Sequence, residues 1–261
     1  MAGMNLNVGI RGLKRGSNVL EIKVPDALRK KKKTGIDWFD DALGGEGFTP
    51  STCMMLTGGP GCGKTTMVLQ LAEAITKAGH IALMNTGEES LYQIRMVCER
   101  LNLKHGFVPG QDTMVEDVLA HAEELRKKNP TKQIFLLQDS LQTLNDGKYK
   151  DGGTTGNTPL RCCEMLTDWV KEHYGICIFV GQVTKGGDFA GKNQIKHAVD
   201  VHGHLFFDDD KKSETYGERL YEVQKNRFGA NGKTYIIGID SNGLHEKGRF
   251  SLGKDLQYKK S

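Results

Sequence analysis

The chain has 261 residues, 38% of them hydrophobic and 26% charged, and a formal net charge of +4. That length suits one large α/β domain, or one domain with small appendages, with room for a substantial core. No run approaches the roughly 18 consecutive apolar residues of a membrane span. No apolar signal core follows the N-terminus, so export is not expected, and the modest charge permits nucleic acid as a partner without demanding it.

Residues 1–33 are polar and basic and read as an arm with one short element, ending in the block Arg29-Lys30-Lys31-Lys32-Lys33. That block reads equally as a phosphate contact, a solvated arm or a subunit linker. The globular part is expected over 34–245, with 246–261 as a tail. In TGIDWFDDALGG, Ile36, Phe39 and Leu43 form a helical stripe that Gly44-Gly45 stops. Four apolar runs then alternate with helical patterns: TCMMLTGG (52–59), HIALMNTG (80–87), QIFLLQDS (133–140) and ICIFVGQV (176–183). Such runs predict parallel strands buried on both faces. LFFDD, RLYEVQK and TYIIGID follow with little room for helices and are expected as antiparallel additions at one side of the sheet. Residues 145–158 form a Gly-rich loop too long for a mere connector. The six cysteines, Cys53, Cys62, Cys98, Cys162, Cys163 and Cys177, include no C-x-x-C pair. Buried reduced thiols in a cytoplasmic protein are expected.

GGPGCGKTT, that is Gly58, Gly59, Pro60, Gly61, Cys62, Gly63, Lys64, Thr65 and Thr66, fits a phosphate loop between an apolar strand and a helix. Glycines there let backbone N–H groups turn toward phosphate oxygens, and the helix N-terminus adds a favourable dipole. Lys64 is expected at the β and γ phosphates of ATP and Thr65 on Mg²⁺. Asp139, ending QIFLLQDS, is placed to hold the same metal's hydration shell. Glu88 and Glu89 follow the neighbouring strand; paired loop carboxylates are commonly only solvated, but either is a candidate to orient water. Gln182, ending ICIFVGQ, is a candidate γ-phosphate sensor. In YEVQKNRFGANGK, Lys225 and Arg227 stand at alternate positions at a strand end, far in sequence from any phosphate site, and taken alone they read as a solvated hairpin tip.

Together TGIDWFDDALGG, GGPGCGKTT, NTGEESLYQIRMVCERL, QDSLQTL, VGQVTKGGDFAG, HAVDVHGHLFFD and KNRFG resemble the RecA superfamily, and within it the RadA/Sms DNA-repair ATPases. The resemblance implies a RecA-like P-loop ATPase core: a mostly parallel twisted sheet flanked by helices, with antiparallel strands on the C-terminal side. It implies a ring, expected as a hexamer, or a filament, with nucleotide between subunits and KNRFG pointing across the interface. Lys225 and Arg227 then look like cations that serve the neighbour's phosphates. Single-stranded or branched DNA is the implied partner, alongside a recombinase or replication protein, and branch-migration helicase or recombination ATPase the implied activity. Two loops are expected to line a DNA channel: Lys148, Tyr149 and Lys150 in the first; Lys185, Lys192, Asn193 and Lys196 in the second. The sequence departs from bacterial RadA in showing neither its four-cysteine zinc module nor its Lon-protease-like domain, so a motor core is expected. It also has Gln182 where the family commonly has His. A regulatory ATPase of the KaiC kind, acting without DNA, is the rival reading; the loop lysines favour DNA.

Overall fold

The computed structural model describes residues 18–149, 152–182, 194–251 and the backbone of 257–258. The arm contributes a short 3₁₀ turn, Val19–Glu21, and a one-turn helix, α1 (Asp26–Arg29). It then docks on the domain, since Lys32 and Phe48 exchange two backbone hydrogen bonds of 2.7 and 2.8 Å. The helix α2 (Asp37–Ala42) follows, as the apolar stripe predicts. Asp40, buried on α2, accepts from Thr34 N, Thr34 Oγ1 and Gly35 N, which fixes the chain entering the helix. Burial pushes its carboxyl above the ordinary range, against those hydrogen bonds.

The four apolar runs are β1 (Cys53–Gly58), β2 (Ile81–Thr86), β4 (Ile134–Asp139) and β5 (Ile176–Gln182). Between them lie α3 (Lys64–Lys77), α4 (Leu91–Arg100), the short strand β3 (Val108–Gly110), α5 (Val115–Lys128) and α6 (Thr158–His173). After β5 come α7 (Gln194–Ala198), β6 (Val201–Phe207), β7 (Arg219–Asn226), β8 (Lys233–Asp240), β9 (Gly243–Ser251) and β10 (Gln257–Tyr258). Among the described residues one sheet holds ten strands in the order β10-β9-β8-β7-β6-β1-β5-β4-β2-β3. From β6 to β3 it is parallel; from β6 to β10 each pairing is antiparallel.

Because side chains alternate along a strand, β1 feeds two cores. Met54 and Leu56 face α2, α3 and α4, packing with Phe39, Leu71 and Ile94. Cys53 and Met55 face α5, α6 and α7, packing with Val118, Leu166 and Ile195. The result is the expected three-layer α/β/α sandwich. All six cysteines are buried and unpaired, and burial pushes the Cys162 thiol up to about 12. Among the described residues no helix is long and apolar enough to cross a membrane.

Two sequence expectations are corrected. The strand containing LFFDD is not an antiparallel addition: it begins at Val201 and runs parallel to β1, Met54 opposite Val201 through Gly58 opposite Leu205. The link from β5 to β6 includes the helix α7, in keeping with the crossover that a parallel neighbour requires. The boundary expected between 245 and 246 falls inside β9, eight of whose nine residues pair with β8, Lys247 standing out at an irregularity.

Candidate active site

Strand β1 ends at Gly58 and the chain turns through the phosphate loop into α3. Gly63, the residue capping α3, has φ of 96°, a left-handed conformation that side chains resist. The loop wraps the Lys64 ammonium, whose Nζ donates to Gly58 O at 2.8 Å and Gly59 O at 2.9 Å. Above it opens a cavity of about 540 Å³ lined by the loop and the first turn of α3, with Glu88, Asp139 and Gln182 opposite. It lies beyond the C-terminal ends of the parallel strands, where such sheets bind ligands.

Asp139 ends β4 and accepts from Thr65 Oγ1 at 2.7 Å. Burial, reinforced by Glu88 and Glu89, pushes its carboxyl up to about 6 despite that hydrogen bond. A divalent cation here would relieve the strain of keeping it charged. A hydroxyl beside a carboxylate is the oxygen donor pair Mg²⁺ takes alongside phosphates and water, so these residues fit the metal. The two glutamates separate in space. Glu88 is exposed and faces the cavity; its Oε1 accepts from Ser140 Oγ at 2.5 Å and Gln182 Nε2 at 2.8 Å. Glu89 is partly buried, with one carboxylate oxygen lacking any hydrogen-bond partner.

Lys225 and Arg227 stand at the opposite end of the sheet. Strand β7 runs against β6, so Asn226 is opposite Val201 and the KNRFG turn lies where the parallel strands begin. The pairing shifts between His202 and Gly203, leaving Gln224 as an extra residue in β7 just before Lys225. Lys225 Nζ donates to the carbonyls of Lys196, His197 and Val199 at 2.9, 3.1 and 2.7 Å. Arg227 bonds Asp200 Oδ1 at 3.0 Å and His197 O at 3.2 Å. Burial, and then Arg227, lower the Lys225 pKa. The turn itself is built by Asn226, which donates to Leu43 O and Ala230 O and accepts from Phe228 N. A Cβ on Gly229 would stand 2.5 Å from Leu43 O, so only glycine fits against the end of α2. TGIDWFDDALGG and KNRFG, far apart in sequence, therefore form one contact.

Three comparisons bear on this architecture. A family model described as the KaiC ATPase matches residues 32–150. The DNA repair protein RadA of Mycobacterium tuberculosis is 33% identical over 241 residues, covering 90% of this chain and 47% of the relative. RadA of Treponema pallidum is 33% identical over 248 residues, covering 90% and 50%. This is a RadA-like domain. The chain spans about half the length of these curated relatives. Among solved structures, a DnaB-like replicative helicase superposes with a TM-score of 0.69 at 15% identity, covering 81% of this chain and 61% of that one. A KaiC-like protein from Pyrococcus horikoshii gives 0.64 at 20% identity, covering 83% and 98%. Both share the fold.

In the RadA-like domain the described candidate DNA residues do not form one cluster. Lys148 and Tyr149 follow β4 at the phosphate end, the ammonium 5.9 Å from the ring centroid, in a loop tied down by Asp146 with Arg161. Lys196 sits on α7 at the opposite end, its carbonyl taken by Lys225. Lys150, Lys185, Lys192 and Asn193 lie outside the described residues. Three residues not singled out from sequence join the site, one of them Val180, two positions before Gln182 on β5. Ser140 holds Glu88, and its place beside Asp139 was a usable signal. Ile239 enters the cavity wall from the tip of β8, and nothing in its local sequence announces that. A further pair, His202 and His204, brackets Thr57 at the foot of the phosphate loop, at 2.7 and 2.8 Å from its hydroxyl.

Proposed function

We propose that this chain is an ATP-driven DNA motor that assembles on single-stranded or branched DNA and hydrolyses ATP between subunits. The observation that carries the reading is the separation of the phosphate loop from the KNRFG cations. β1, six residues long, lies between them and spans about 20 Å at the usual rise of a strand. Neither cation can reach the phosphates of its own chain, and both are already held in a fixed turn that a second copy could approach. Mg²⁺, when bound, would neutralise developing phosphate charge. Lys64 would exchange its two carbonyl partners for β and γ phosphate oxygens, Thr65 and Asp139 would hold the metal, and Glu88 would orient the attacking water. Gln182, bonded to Glu88, would report the γ-phosphate to the segment that follows it. Lys225 and Arg227 of an adjoining copy would complete the site.

The test mixes two inactive proteins, Lys64→Ala and the Lys225→Ala/Arg227→Ala double variant, and measures ATP turnover. Mixed assemblies contain interfaces that pair an intact loop with intact cations, so activity is expected to return in part. Absence of rescue in assemblies shown to be mixed would overturn the reading. The KaiC family match favours a second reading, an ATPase governing protein assembly without DNA. Stimulation of turnover by single-stranded oligonucleotide decides against it.

A further inference from the structure

At the far end of the sheet from the phosphate loop lies a second cavity, of about 360 Å³. Its walls are α1 with the following arm residues, the turn between α5 and β4, and the turn between α6 and β5. The walls are preformed. Backbone pairing with Phe48 fixes Lys32, Gln133 Nε2 donates to Tyr174 O at 2.7 Å, and Ser51 N donates to Gly175 O at 2.8 Å. Five basic side chains line it, Lys30, Lys32, Arg126, Lys132 and His173, against one acid, Asp26. Arg126 is spoken for by Glu123, through two hydrogen bonds of 2.7 Å, and His173 lies 3.9 Å from the same carboxylate. Lys30, Lys32 and Lys132 have no carboxylate within 4.0 Å among the described residues.

Cations in the last turns of α5 and α6 are explained by the helix dipoles. That account does not extend to these three: Lys32 and Lys132 belong to no helix, and Lys30 closes a helix of one turn. Three unpaired ammonium groups around one concave wall call for an anion that presents several charges at once. Single-strand sites interleave cations with stacking rings, whereas among the described residues this wall carries two rings, Tyr174 and His173, and the latter already packs against Trp169. The chemistry is that of contact with a phosphate backbone whose bases are hidden.

We propose that this cleft binds the backbone of duplex DNA, as a second nucleic-acid site at the opposite end of the domain from the loop of Lys148 and Tyr149. The inference rests on the reading of the chain as a DNA motor. Such a motor would grip a duplex with the arm side while working on a single strand at the phosphate end.

The experiment compares wild type with Lys30→Ala/Lys32→Ala/Lys132→Ala, binding a short labelled duplex and a single strand of the same length over a salt series. The variant's dependence of log affinity on log salt is expected to flatten by about 0.9 for each duplex phosphate released. Single-strand binding and basal ATP turnover should stay unchanged. If the triple variant does not fold, Lys30→Gln/Lys132→Gln should show the same flattening for two contacts. An unchanged duplex slope overturns the proposal, as does displacement of the duplex by inorganic phosphate at matched ionic strength, which would mark a free-anion site. A shift in oligomeric state with duplex binding intact also overturns it, since the occupant would then be a second copy. If wild type binds neither form of DNA, the reading as a DNA motor fails with it; if it binds only the single strand, that reading stands and the cleft proposal falls.

Discussion

The two ends of the sheet handle charge in different ways. At the phosphate end, backbone does most of the work: a glycine turn, a helix N-terminus and one lysine, with Glu88 and Glu89 near Asp139, whose carboxyl burial pushes above the ordinary range. At the other end, positive side chains are held by carbonyl groups, three of them on Lys225 alone. Under the proposed function one end would receive anionic phosphate and metal together, and the other would offer its fixed cations to an adjoining copy. A damaged phosphate end should therefore fail in binding, and a damaged cation end in chemistry.

The largest effect should come from Lys64→Ala, taking turnover to background and weakening nucleotide binding, as read by a steady-state ATPase assay and nucleotide titration. Lys225→Ala/Arg227→Ala should lower turnover by roughly 10³–10⁵, the scale of a lost transition-state cation, while nucleotide affinity stays within a few-fold. Weak binding in that variant would break the contrast between the ends. Within the phosphate end, Glu88→Gln should cost roughly 10²–10⁴ in turnover and Glu89→Gln less than about tenfold. The reverse order would return the role to Glu89.

The smallest effect concerns His202, buried between the two ends. Burial, then His204, Lys196 and Lys225, push its pKa down to about 4 from the ordinary 6.5. Between those values the unfolded chain binds the proton and the folded chain does not. The stabilising contribution is thus complete above pH 6.5 and is lost as pH falls toward 4, about 1–3 kcal/mol after allowing for relaxation. Urea unfolding at several pH values should show wild type weakening over that window and His202→Gln weakening less. Parallel curves would mean that His202 is hydrated and titrates normally.

The phosphate end was legible because its signals are local. The loop, the strand before it, the helix after it and Asp139 can each be read from a few consecutive residues. The choice between Glu88 and Glu89 was not, since it depends on Ser140 and Gln182 arriving from β4 and β5. KNRFG could be recognised by resemblance, but its distance from the phosphate loop comes from strand direction alone. The start of β6 escaped because His202, Gly203 and His204 interrupt its apolar pattern. Those histidines are satisfied by Thr57, a partner 145 positions away in the case of His202. β3 escaped because Val108-Pro109-Gly110 reads as a turn, and proline is tolerated only because the strand is at the sheet edge. In β9 the buried acid Glu246, bonded by Arg249, hides the alternation a strand should show.

Gln70, on the outer face of α3, grips the tip of the β8–β9 hairpin. Its amide donates to Asn242 O and Leu244 O and accepts from Leu244 N at 2.8 Å. The hairpin's outermost turn is thereby fastened to the helix that begins with Lys64, so the outer strands cannot peel away without disturbing the nucleotide site. Mass action then links the two. A ligand that binds only the closed form at 100 times its Kd opposes such opening by about 2.7 kcal/mol. The Leu244 amide should exchange its hydrogen with solvent about a hundredfold more slowly when nucleotide is present. A backbone proton far along the chain from the phosphate loop becomes a gauge of its occupancy.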